Sequence, residues 1–170
     1  RYWKQAFLRF IVTKKDINVP LLSLGDTQLL ATTIASQLQS GHILLLDGDL
    51  GAGKTTFTQL LVAAMGCKDV VTSPTFTLIN HYTHDPMIYH MDLYRMDSIA
   101  AIDQLDLEDY YHKSGVLIIE WANLLKTLKP SSFLELSFSF SSTDHRQVTL
   151  RSQGDNHDEI ITYLESKYSH

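Results

Sequence analysis

Residues 42–56 read His42-Ile43-Leu44-Leu45-Leu46-Asp47-Gly48-Asp49-Leu50-Gly51-Ala52-Gly53-Lys54-Thr55-Thr56. They contain a complete G-x-x-x-x-G-K-S/T pattern from Gly48 to Thr55. The apolar run before it has the character of a buried parallel strand. After it, Phe57, Leu60, Leu61 and Ala64 recur at helical spacing over residues 55–65, and Gly66 supplies a stop. Average residue usage yields the pattern by chance in about one chain in a hundred of this length. Context therefore decides between a working loop and a Gly-rich turn with a solvated lysine. Strand, Gly-rich loop and helix, in that order, are the context that binds phosphate.

The chemistry follows from the backbone. Successive N–H groups of such a loop form a concave anion site, and the following helix adds the positive end of its dipole. Lys54 can reach the outer phosphates and the Thr55 hydroxyl can ligate Mg²⁺. Gly48, Gly51 and Gly53 permit positive φ and close approach to a ligand. The candidate nucleotide-binding set is therefore Gly48, Asp49, Leu50, Gly51, Ala52, Gly53, Lys54, Thr55 and Thr56, with ATP and Mg²⁺ as the expected cofactors.

The chain has 170 residues, 44% of them hydrophobic, enough for one domain with a full core. No apolar run approaches the roughly 18 residues of a membrane span. The one cysteine, Cys67, excludes an internal disulfide and suits a reducing, cytoplasmic setting. Charge is uneven. Residues 1–15 hold Arg1, Lys4, Arg9, Lys14 and Lys15 and no acid, leaving nine of the fourteen basic residues against nineteen acidic ones, a balance of −10. An acidic body is a poor nucleic-acid binder by itself, so any RNA contact is expected through a partner. Trp3, Ala6, Phe7 and Phe10 are spaced as one face of a short basic helix. We read residues 1–19 as an extension of uncertain status and residues 20–170 as a single P-loop ATPase domain.

The remaining periodicity predicts strands at 18–22, 70–72, 87–92, 116–121, 134–140 and 147–151, with 75–82 extended after the bend at Ser73-Pro74. Helices are expected at 28–38, capped by Asp26 or Thr27, at 98–111 and at 158–168. The strand at 134–140 alternates with serine and reads as antiparallel or an edge. Together these predict an α/β, P-loop NTPase-type three-layer fold: a mostly parallel central sheet with a late antiparallel hairpin.

Three further strings carry polar chemistry. Val116-Leu117-Ile118-Ile119-Glu120 is an apolar strand ending in a carboxylate, where α/β sheets bind ligands. Glu120 can hold Mg²⁺ across from the loop, or simply face solvent. In His90-Met91-Asp92-Leu93-Tyr94-Arg95, His90 and Asp92 share a strand face. Asp92 can orient or deprotonate water or bind Mg²⁺ through water, Arg95 can pair with phosphate or a carboxylate, and His90 reads as a structural hydrogen-bonder. Ser73-Pro74-Thr75-Phe76-Thr77 is an ordinary Pro-containing loop in isolation. Downstream of a phosphate loop, its hydroxyls can sense the outer phosphate. No Cys/His spacing supports zinc.

Gly48 to Thr56, Ser73 to Leu78, His90 to Arg95 and Ile119-Glu120-Trp121, in this order, resemble the TsaE family, also called YjeE. The likeness runs from about Ser23 to Tyr168. It implies a small ATPase in the bacterial pathway that makes threonylcarbamoyladenosine beside the anticodon of certain tRNAs. It implies a TsaD–TsaB heterodimer as partner, which the ATPase binds and resets, with tRNA contacted only through that pair and the chain monomeric alone. On that likeness Lys54 and Thr55 bind phosphate and Mg²⁺, Glu120 completes the Mg²⁺ site, Asp92 is the catalytic carboxylate and Thr75 lies in a switch-like loop. Arg146 resembles a family arginine near the nucleotide, and residues 23–27 lie around the adenine.

Two rival functions stay open. A small P-loop kinase usually brings several arginines to the transferred phosphate, but only Arg95, Arg146 and Arg151 follow the loop. A nucleotide-dependent scaffold without significant hydrolysis is the other. A GTPase is disfavoured because no Asn-Lys-x-Asp follows the loop. The sparse arginines also predict slow intrinsic hydrolysis.

Overall fold

The computed structural model describes residues 16–168. Residues 3–10, whose spacing allows a short basic helix, lie outside them. Seven strands form one sheet in the order β1-β7-β6-β2-β5-β4-β3. They are β1 Ile17–Leu21, β2 Ile43–Asp47, β3 Ile79–Tyr82, β4 Ile88–Asp92, β5 Val116–Glu120, β6 Phe133–Phe140 and β7 Arg146–Gln153. The four central strands β6, β2, β5 and β4 run parallel, and β7, β1 and β3 add antiparallel pairings at the two ends. β1 begins inside the segment that the sequence sets apart as an extension, and its Ile17 and Val19 are buried.

Helices cover both faces. On one lie α1 (Leu24–Ala35), α2 (Lys54–Ala64) and α5 (Asp155–Tyr168), packed through Leu30, Ile34, Phe57, Leu61, Ile160 and Leu164. On the other lie α3 (Ile99–Asp103), α4 (Leu107–Tyr111) and a 3₁₀ segment at Ala122–Leu128, packed through Ile102, Leu107 and Leu125. β2 and β5 are apolar up to their terminal carboxylates, Asp47 and Glu120, because both of their faces are covered. Three layers around a parallel centre are thus the fold expected. Among the described residues no helix is long and apolar enough to cross a membrane.

Several local expectations need correction. α1 starts at Leu24, four residues early, because Ser23 is its cap: the Ser23 hydroxyl accepts the Asp26 N–H, and Asp26 accepts the Ser23 N–H in return. Residues 70–72 form no strand. Val70 is 83% exposed, and the Thr72 carbonyl is bonded by the Asn80 and Tyr82 side chains instead of a neighbouring strand. Residues 75–77 turn, and extension begins only at Ile79. The helix expected at 98–111 breaks into α3 and α4 at Asp106, which has φ +52°. β6 is neither an edge nor purely antiparallel: it runs parallel to β2 and antiparallel to β7. Its alternation misleads because Glu135, a polar position in its buried half, is paired by Lys129 and Arg151.

Candidate functional site

The parallel strands point their C-terminal ends at one edge of the sheet. There β2 delivers the Gly-rich loop, β4 ends in Asp92 and β5 ends in Glu120, with Asp92 opposite Glu120 in register and Glu120 opposite Leu46. Gly48 has φ +143°, and a Cβ there would lie 2.6 Å from the Phe138 carbonyl oxygen, so only glycine lets the loop turn this close to β6. Gly53 enters α2 at φ +112° with no side chain capping the helix. The first-turn N–H groups are thus presented toward the loop with the positive end of the helix dipole.

Lys54 is buried at 5% exposure. Its ammonium donates to the carbonyls of Gly48 and Asp49 and stands 4.1 Å from the centroid of the Trp121 ring. Burial pushes its pKa below the usual lysine value, while Glu120, Asp47 and Asp92 act the other way. Tyr94 packs on Trp121 at 4.9 Å between centroids. Trp121 is held in the left-handed region at φ +59°, and the next turn is tied down by the Asp47 carboxylate accepting the Asn123 N–H at 2.6 Å.

The carboxylates divide their partners. Glu120 Oε2 accepts the Thr55 hydroxyl at 3.0 Å, and its Oε1 accepts His90 Nε2–H at 2.8 Å. Asp92 Oδ2 accepts the hydroxyls of Ser73 at 3.3 Å and Thr75 at 3.1 Å, and its Oδ1 accepts the Tyr94 N–H. The structure therefore brings Lys54, Thr55, Thr75, Asp92, Glu120 and Trp121 around one cleft of about 240 Å³. Arg95 is not among the residues lining this cleft: its guanidinium lies over the exposed Phe76 ring at 4.2 Å.

A second cleft, of about 290 Å³, opens on the other side of the loop. Gly51, Gly53 and Thr56 line both; Ser23, Thr27, Phe138 and Arg146 belong to the second. Arg146 Nη2 donates to the Gly51 carbonyl at 3.1 Å, but its buried Nε has no hydrogen-bond partner. An orphaned guanidinium donor beside an uncapped helix start fits a polyanionic ligand. Among the described residues no group of three or more His, Cys, Asp or Glu could hold an ion alone. The Thr55–Glu120 oxygen pair instead fits Mg²⁺ of the kind that keeps few protein ligands and shares the phosphates of its nucleotide.

Sequence reasoning misses three contributors. Tyr94 stands inside a quoted string with no part of its own. Asp47 appears there only as the end of the apolar run. Tyr82, whose hydroxyl meets His90 Nδ1 at 3.1 Å, carried no signal beyond its place in an extended run.

A family model described as threonylcarbamoyl adenosine biosynthesis protein TsaE matches residues 21–148. The tRNA threonylcarbamoyladenosine biosynthesis protein TsaE of Bacillus subtilis is 37% identical over 140 residues, 82% of this chain and 87% of that protein. The protein of the same name from Treponema pallidum is 31% identical over 128 residues, 75% of this chain and 95% of its own. The crystal structure of Bacillus subtilis YdiB superposes with a TM-score of 0.79 at 31% identity, covering 93% of this chain and 99% of that one.

Proposed function

The chain belongs to the TsaE family, and we propose that it is a Mg²⁺-dependent ATPase that binds and resets a TsaD–TsaB complex in threonylcarbamoyladenosine modification of tRNA. The observation that carries this reading is the convergence of Thr55 and Glu120, 3.0 Å apart, with Asp92 opposite in register, on an uncapped helix start.

Each residue's part follows from where its atoms lie. The loop N–H groups and the first turn of α2 bind the phosphate chain. Lys54, already desolvated, moves its ammonium from the Gly48 and Asp49 carbonyls onto the outer phosphates, a stronger set of charge-assisted bonds. Thr55 and Glu120 would hold Mg²⁺, which neutralises charge on the phosphoryl group being transferred. Asp92 orients the attacking water and accepts its proton, with Ser73 and Thr75 fixing the carboxylate's angle. Arg146 adds an in-chain guanidinium beside the loop. The second cleft, lined by Ser23 and Thr27, has room for the nucleoside end.

Partner control fits the charge distribution. The acidic body is unsuited to hold tRNA alone. A pull-down against TsaD–TsaB with ATP, with ADP and without nucleotide tests the assignment. Retention that depends on nucleotide state is the expected result. No association under any of the three conditions would remove the partner role.

A further inference from the structure

Tyr82, His90 and Glu120 lie on three adjacent strands, β3, β4 and β5, and on the same face of the sheet. In register Asn80 faces His90 and His90 faces Ile118, so each of the three is offset from the next by two residues, within side-chain reach along the diagonal. All three are buried: Tyr82 is 3% exposed, His90 0% and Glu120 2%. A carboxylate only accepts, so His90 Nε2 carries the proton shared with Glu120 Oε1. In the neutral ring Nδ1 is then the acceptor of the Tyr82 hydroxyl. Its one proton is shared between two acceptors, His90 Nδ1 at 3.1 Å and the Thr72 carbonyl at 3.3 Å. Thr72 leads directly into the loop whose Ser73 and Thr75 bind Asp92.

We propose that His90 and Tyr82 are positioning residues: they hold Glu120 with Oε2 turned to Thr55, and they tie that orientation to the loop at residues 72–77. The proposal rests on the nucleotide-site reading above for what Glu120 does, while the relay itself is a property of the protein alone. His90 fixes which carboxylate oxygen is free for Thr55 and a cation. Turning Glu120 turns the imidazole it is bonded to, and the shared Tyr82 O–H then swings its donation toward the Thr72 carbonyl. A change at Glu120 thus reaches the hydroxyl loop, and through it Asp92, by discrete hydrogen bonds that begin among the buried Glu120, His90 and Tyr82.

Full-chain variants His90→Leu, His90→Gln and Tyr82→Phe test this on two readouts. With no nucleotide added, hydrogen exchange at the amides of residues 72–78 reports the tether. Tyr82→Phe removes one oxygen and is expected to speed exchange by about fivefold, the equivalent of one hydrogen bond. Unchanged exchange in that variant overturns the tether. With Mg²⁺ titrated against a fixed concentration of a non-hydrolysable ATP analogue, calorimetry reports the orientation of Glu120. His90→Leu should raise the Mg²⁺ midpoint by about tenfold and leave affinity in EDTA unchanged. His90→Gln, whose amide N–H can replace Nε2–H, should restore the midpoint. An unchanged midpoint in His90→Leu, or no restoration by His90→Gln, overturns the orienting role. If the wild type binds no nucleotide, it is the ATPase reading that fails, and the exchange measurement still decides the relay. Should His90→Leu not fold, Tyr82→Phe carries the test.

Discussion

Thr55 Oγ1 donates to Glu120 Oε2 across 3.0 Å, joining the first turn of the loop helix to the end of the neighbouring parallel strand. A hydroxyl and a carboxylate from separate elements are thereby preset as a pair. Glu120→Gln keeps the shape and removes the charge. We expect Mg²⁺-supported nucleotide affinity to fall by on the order of tenfold, about 1.4 kcal/mol, with affinity in EDTA unaffected. Calorimetry in Mg²⁺ and in EDTA reads this, and equal losses in both would take Glu120 out of the cation site.

Lys54 is held by loop carbonyls and the Trp121 face, close to the uncapped helix start. Lys54→Ala should lower nucleotide affinity by about a hundredfold, the order expected for charge-assisted bonds to phosphate. Wild-type affinity in this variant would contradict the phosphate-loop assignment.

Asp92 is bonded by Ser73, Thr75 and the Tyr94 N–H rather than by the loop helix. Asp92→Ala is accordingly expected to bind nucleotide within a few-fold of wild type while hydrolysis falls about 10²- to 10⁴-fold, the range of a lost general base. A wild-type rate in single-turnover phosphate release would remove Asp92 from the water-positioning role.

Far from the site, His157 is fully buried, accepts the Ile43 N–H at its Nε2 and meets the Ser132 hydroxyl at Nδ1. Burial pushes its pKa down to about 4, with the neighbouring His42 adding to the effect. The folded value lies below the ordinary 6.5, so between the two the unfolded chain binds more protons. The stabilisation is complete above pH 6.5 and is lost as pH falls toward 4, an effect of about 3 kcal/mol. His157→Gln keeps an acceptor for Ile43 without titrating. Denaturant unfolding at pH 7.5 and 4.5 should show a smaller difference in the variant than in wild type; equal differences would contradict the assignment.

Gly48 combines φ +143° with a backbone oxygen 2.6 Å from where a Cβ would sit. Gly48→Ala should cost about 2 kcal/mol or more in thermal unfolding, from strain and the clash with Phe138. An unchanged melting temperature would mean that the loop can stand off from β6.

Much of this was legible in the chain. The run from His42 to Thr56 marks strand, loop and helix because both faces of β2 are covered and the loop needs its glycines. The four strings resembling TsaE predicted the family to which the chain belongs, and the three-layer fold with it. Other features were hidden for physical reasons. The Ser23–Asp26 capping box was obscured by Gly25, a poor helix former, in the first turn. The interior place of β6 was masked because Glu135 finds cationic partners, so burial did not require an apolar residue there. The Tyr82–His90–Glu120 chain depends on strand register across three strands, which single-sequence periodicity does not carry.

We propose that this site hydrolyses ATP under partner control. The most direct test is phosphate release from Mg²⁺-ATP by the full chain, alone and with TsaD–TsaB, beside Asp92→Ala. Slow turnover alone, a clear rise with the partners and loss of both in the variant are expected. Partner-independent rapid turnover, or no phosphate release under any condition despite tight nucleotide binding, would contradict it.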